Sequence, residues 1–159
     1  MRILIVEDEP SKFEQLSNVV HSVLAGEIHI ISCESLLSAI LNIDQNNIYD
    51  LAVLDMSMPN YDISDEEPTG GDSESFAGRE LMYQMKFREK LCPIIVVTQY
   101  QSFEKGLREL NDLDVEFKDE FSGYYMGCVY YNAAVDGWVD KFKDFLITFK
   151  NDKNENSNC

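Results

Sequence analysis

Apolar residues occur along this chain in two alternating patterns, short unbroken runs and steps of three or four. Ile3-Leu4-Ile5-Val6, Leu51-Ala52-Val53-Leu54 and Ile94-Ile95-Val96-Val97 offer no polar position to water. Runs of this kind predict strands buried on both faces, as in a parallel sheet. Between the first two, Phe13, Leu16, Val20, Val23 and Leu24 recur at helical spacing after Pro10-Ser11, and Gly26 closes that helix. Ile28-His29-Ile30-Ile31 reads as a second strand, and Leu36, Leu37, Ile40 and Leu41 as a short second helix. The central strand covers 50–55, a third helix about 78–90, and a fourth strand 94–98. Phe103, Leu107, Leu110, Leu113, Phe117 and Phe121 predict a five-turn amphipathic helix over 103–121. Tyr125–Tyr131 reads as a fifth strand, and Val135, Trp138, Phe142, Phe145, Leu146 and Phe149 share one face of a last helix. Strands and helices in alternation imply right-handed crossovers and a parallel α/β sheet.

Two segments break the rhythm. Residues 60–76 hold six acids, no base and turn formers throughout, and predict a mobile surface loop. Residues 151–159 are polar without periodicity and predict a flexible tail. The remaining 1–150 have room for one domain with a substantial core. No internal repeat is present.

Charge narrows the partners. The net charge is −16, and residues 1–78 carry fifteen acids against two bases. Nucleic acid and anionic membranes need a basic surface to meet, so neither is expected as a partner. A divalent cation or a basic protein surface suits the balance better. No apolar run approaches the ~20 residues that span a bilayer, and Glu7-Asp8-Glu9 interrupts the N-terminal stretch before a secretory core could form. Cys33, Cys92, Cys128 and Cys159 are scattered and read as reduced thiols of a cytoplasmic protein.

The chemistry lies at the strand ends, where open α/β sheets place their ligands. The first strand ends in Glu7-Asp8, the third in Asp55 and the fourth in Thr98. If the first and third strands are neighbours, Glu7, Asp8 and Asp55 crowd together and repel one another unless a cation compensates. Hard carboxylate oxygens suit Mg²⁺, which binds through one or two carboxylates plus waters and phosphate. A bound Mg²⁺ would draw in a phosphoryl group and leave Asp55 as a carboxylate nucleophile. Thr98 could donate its hydroxyl to a phosphoryl oxygen.

Ile-Leu-Ile-Val-Glu-Asp-Glu-Pro (3–10), Leu-Asp-Met-Ser-Met-Pro (54–59) and Ile-Val-Val-Thr (95–98) together resemble the response-regulator receiver domain. That resemblance implies a five-stranded parallel sheet of order 2-1-3-4-5, a flavodoxin-like three-layer sandwich wrapped by five helices. It implies that Asp55 accepts a phosphoryl group from a histidine kinase, with Thr98 as the switch hydroxyl. Asp8 and Asp55 would ligate Mg²⁺, Glu7 would act through water, and Ser57 would contribute its backbone carbonyl. The module would signal to a downstream protein rather than turn over a substrate as an enzyme. The face of the fourth helix, fifth strand and fifth helix is the expected output surface and a possible homodimer contact.

The chain departs from the resemblance in four places. Receivers carry a lysine at the end of the fifth strand, whereas this one ends Val129-Tyr130-Tyr131-Asn132. Lys118 is the nearest basic residue in sequence, and its place on a helix argues against it. Gln99 replaces a small residue, and the helix at 103–121 and the acidic 60–76 loop are longer than usual. These departures keep open a pseudo-receiver, a phosphorylation-independent interaction module. An aspartate-dependent phosphatase would want an acid where Ser57 stands, and a nucleotide-binding protein a glycine-rich loop in place of Glu7-Asp8-Glu9.

Overall fold

The structure, a computed structural model, describes residues 1–45, 47–66, 68, 70, 76–100, 102–103 and 108–157. Five parallel strands form the main sheet: β1 (Arg2–Val6), β2 (His29–Cys33), β3 (Leu51–Leu54), β4 (Ile94–Thr98) and β5 (Tyr125–Tyr130). Their order is β2-β1-β3-β4-β5, the flavodoxin-like order expected from the sequence. The helices are α1 (Pro10–Val23), α2 (Leu36–Asp44), α3 (Ala77–Phe87), α4 (Leu110–Glu120) and α5 (Gly137–Ser157).

The unbroken apolar runs are explained by a core on each face of the sheet. Leu4, Val6, Ala52, Leu54, Ile94 and Val96 face the cluster that contains residues of α2, α3 and α4. Ile3, Ile5, Leu51, Val53, Ile95 and Val97 alternate with them and face residues of α1 and α5. Burying each such side chain contributes about 1.5–3 kcal/mol before the cost of ordering it.

Local chemistry sets the element ends. Pro10 opens α1 at its first turn, where a missing N–H costs nothing. Ser35 caps α2, its hydroxyl accepting from the Ser38 N–H at 3.1 Å. In β5, Met126 is an extra residue between Tyr125, opposite Ile94, and Gly127, opposite Ile95. Gly127 has φ 150° and lies under the Phe145 ring, where a Cβ would come within 2.4 Å of Phe145 Cζ.

The structure corrects the helix predicted over 103–121. Its first part forms a small antiparallel ladder, Ser102–Phe103 against Arg108–Glu109, and the helix begins at Leu110. Gly106 stands in the predicted span, and a glycine inside a helix costs about 1 kcal/mol relative to alanine. Phe103 thus matched the helical period by coincidence, and Leu107 lies outside the described residues. At the C-terminus the helix is longer than its apolar face. It continues to Ser157, and Lys153 pairs with Asp50 at the start of β3 while Lys150 donates to the Val23 carbonyl at 3.5 Å. Val135 precedes this helix and is exposed. Of the 60–76 loop, residues 67, 69 and 71–75 lie outside the described residues. In the described part, Gly70 is buried against Pro59 and its carbonyl accepts from the Tyr61 N–H at 3.0 Å.

One close approach ties a helix to the end of the central strand. Gly78, in the first turn of α3, donates to the Met56 carbonyl at 3.1 Å. A Cβ on Gly78 would lie 2.2 Å from the Asp55 carbonyl oxygen and 3.0 Å from Met56 Cα. Backbone cannot swing aside as a side chain can. Gly78→Ala is expected to destabilise the fold by about 1–3 kcal/mol, the range for overpacking, read by urea unfolding. An unchanged denaturation midpoint would contradict this packing.

Candidate functional site

Parallel pairing of β1 with β3 brings the acids together. Val6 is level with Leu54, and the Asp55 N–H donates to the Val6 carbonyl at 3.0 Å. Glu7 leaves β1 on the other side, its N–H donating to the Cys33 carbonyl at 3.0 Å. As a result, carboxylate oxygens of Glu7, Asp8 and Asp55 lie within 4.8 Å of one another. Glu7 and Asp55 are 2% and 3% exposed, while Asp8 sits at the open mouth.

Each buried carboxylate is held on one oxygen by backbone. Asp55 Oδ1 accepts from the Met56 N–H at 2.6 Å and from the Ser57 N–H at 3.4 Å. Glu7 Oε1 accepts from the Glu9 N–H at 3.0 Å. Their other oxygens converge on Lys12, whose Nζ is 2.5 Å from Glu7 Oε2 and 2.9 Å from Asp55 Oδ2. Lys12 is wholly buried, with its ammonium 5.4 Å from the centre of the Tyr131 ring. Both carboxylate contacts are buried ion pairs at hydrogen-bonding distance.

The electrostatics follow from crowding. Burial, with the Asp55 charge adding to it, pushes the Glu7 carboxyl up to about 7 although Lys12 pulls the other way. Partial desolvation and the Asp55 charge also push Asp8 up. For Lys12, burial favours the neutral amine, but Asp55 and Glu7 outweigh it and hold the ammonium charged.

Thr98 closes β4 at the same edge of the sheet. Leu54 is level with Val96, so Thr98 stands one residue beyond the level of Asp55. Its side chain is buried, and its hydroxyl accepts from the Tyr100 N–H at 3.4 Å. Ser57 is half-buried two residues beyond Asp55, and Gln99 is exposed. Of the two tyrosines ending the fifth strand, Tyr131 turns inward against Lys12 and Trp138, whereas Tyr130 is exposed. Lys118 pairs with Asp114 one turn away on α4 and is exposed. Cys33, Cys92 and Cys128 are buried free thiols, with burial pushing Cys33 up to about 11 and Cys92 up to about 12.

Lys12 is the site residue that sequence reasoning missed. Helical side chains lean toward the helix N-terminus, so a residue in the first turn of α1 reaches back toward Glu7 and Asp8. The available signal was its isolation: after Arg2, Lys12 is the sole base before Arg79.

No protein-family model matches the chain. It is 27% identical over 150 residues to the uncharacterized protein y4jR of Sinorhizobium fredii, covering 93% of this chain and 98% of that one. It is 26% identical over 140 residues to the Detocs response regulatory protein DtcB of Enterobacter cloacae, covering 87% and 93% respectively. Among solved structures, the response regulatory domain of protein mrkE from Klebsiella pneumoniae superposes with TM-score 0.63 at 18% identity, over 98% of this chain and 99% of that one. The Mn²⁺-bound form of response regulator Rcp1 gives TM-score 0.60 at 18% identity, over 90% and 89%. The chain has the fold of response-regulator receiver domains.

The donor set fits a hard divalent cation. Three carboxylates face one ammonium, an excess of negative charge on hard oxygen donors. Without such an ion the Glu7 shift makes stability pH-dependent. Its folded value lies above the ordinary 4.5, so between about 4.5 and 7 the native state holds a proton that the unfolded chain has released. Stability of the metal-free protein is therefore expected to fall as pH rises through that window, with a Glu7 slope of up to about 1.4 kcal/mol per pH unit. Urea unfolding at several pH values checks this. A slope unchanged in Glu7→Gln would place the cause elsewhere.

Proposed function

We propose that the chain is a stand-alone receiver in which Asp55 accepts a phosphoryl group from the phosphohistidine of a histidine kinase. The observation that carries this reading is a buried aspartate at the carboxyl edge of β3, with Glu7 and Asp8 oxygens within 4.8 Å of it.

Glu7, Asp8 and Asp55, with the Ser57 carbonyl, would hold Mg²⁺. When bound, it would supply the positive charge that lets a phosphoryl group enter among carboxylates. An Asp55 oxygen attacks phosphorus, an O–P bond forms, and the N–P bond of the donor breaks with its electron pair left on the imidazole. The backbone N–H of Met56 orients the Asp55 carboxylate for that attack. The Thr98 hydroxyl would then turn to a phosphoryl oxygen. Output is a changed protein-binding surface on α4, β5 and α5, where Val115, Tyr130 and Ile147 are exposed, and a homodimer through that face fits the same surface. The net charge of −16 supports protein partners over nucleic acid or membrane, and no described helix is long and apolar enough to cross a membrane. In this reading the protein is a cytoplasmic signalling switch, not an enzyme.

One observation favours the pseudo-receiver as a second reading. Lys12 already neutralises part of the acid cluster from within, so the fold could stand without a metal.

Incubation with Mg²⁺ and acetyl phosphate is expected to add one phosphoryl group by intact-mass measurement, and Asp55→Asn to abolish the addition. No labelling from acetyl phosphate or any histidine kinase would remove the reading. Mg²⁺ at 100 times its dissociation constant is expected to stabilise the fold by about 2.7 kcal/mol. Thermal unfolding checks this, and Asp8→Asn should lose most of the gain.

A further inference from the structure

The acid cluster holds a cation of its own, and its place on α1 serves the site better than the helix. A positive charge in the first turn opposes the helix macrodipole, so Lys12 does not stabilise α1 by being there. A wholly buried ammonium is retained only where charge and hydrogen bonds compensate it. Both are supplied here, with Lys12 Nζ 2.5 Å from Glu7 Oε2 and 2.9 Å from Asp55 Oδ2. The ammonium therefore stands in contact with the reacting carboxylate, its three N–H donors facing two carboxylate oxygens.

We infer that Lys12 is the phosphoryl-binding cation of this site, supplied by the first turn of α1 in place of a fifth-strand lysine. The inference rests on the phosphoacceptor reading and deepens it. When Asp55 becomes an acyl phosphate, its carboxyl loses its charge and the negative charge moves outward onto the phosphoryl oxygens. The ion partner of Lys12 thus moves away from Asp55 Oδ2, and a four-carbon stem lets the ammonium follow. The inward ring of Tyr131 fills the space beside Lys12 at the end of the fifth strand. That ring is 4.9 Å from Trp138, the chain's single tryptophan, so a move of Lys12 changes the surroundings of an intrinsic fluorophore.

The test uses the full chain with Mg²⁺ and beryllofluoride, which mimics the phosphoryl group without turnover. Wild type should bind the mimic with a change in Trp138 fluorescence. Lys12→Gln should bind it about tenfold or more weakly, the factor of an interaction worth about 1.4 kcal/mol, and Lys12→Arg should recover part of the loss. The affinity for Mg²⁺ alone should not weaken in Lys12→Gln, because Lys12 competes for the same oxygens. If Lys12→Gln fails to fold, the wild-type complex decides. Cross-relaxation from bound fluorine to the Lys12 ammonium protons supports the contact, and its absence overturns it. Equal affinity in wild type and Lys12→Gln would overturn this inference while leaving the phosphoacceptor reading intact. No binding by wild type would overturn both.

Discussion

The site is governed by the crowding of like charges at the carboxyl edge of a parallel sheet. Two unit charges 4 Å apart interact by about 1 kcal/mol in water and about 4 kcal/mol at an effective dielectric of 20. Three carboxylates within 4.8 Å, two of them buried, therefore set a condition that the fold must meet. It meets the condition partly with backbone N–H groups and partly with one ammonium, leaving an excess of negative charge directed at the mouth where Asp8 stands. A site in that state is matched to cationic ligands.

The rest of the fold makes that arrangement rigid. Apolar packing on both faces fixes the register of β1 against β3, because a one-residue slip would exchange the two faces of every side chain. Register in turn fixes the level of Glu7 against Asp55. α1 starts three residues beyond Glu7, with Pro10 presetting its first turn, so Lys12 is carried over the acids as a consequence of where the helix begins. Placement of the charged groups thus follows from the hydrophobic pattern.

Much of this was legible in the sequence. Glu7, Asp8, Asp55 and Thr98 each follow an apolar run, so strand assignment alone puts them at one edge once the sheet is parallel. Lys12 was not legible in that way, because its role depends on the lean of a helical side chain and on tertiary packing. Between Tyr130 and Tyr131 the sequence was neutral; strand alternation at the end of β5 decides which ring turns inward. The helix predicted over 103–121 shows the opposite failure, where periodicity outweighed a glycine that should have divided it. The C-terminal extension of α5 has no apolar period to announce it, since its described anchors are the reach of Lys150 to the Val23 carbonyl and of Lys153 to Asp50, over one hundred residues away in sequence.

Gly78 carries a further implication. With no side chain between them, the first turn of α3 rests directly on the peptide group that follows Asp55. A joint without a cushion transmits small displacements undiminished. A displacement of the Asp55–Met56 peptide would meet the first turn of α3 with no side chain between them to absorb it. At its other end Arg88 pairs with Asp44 of α2, so the same helix is tied at one end to the peptide after Asp55 and at the other to a neighbouring helix.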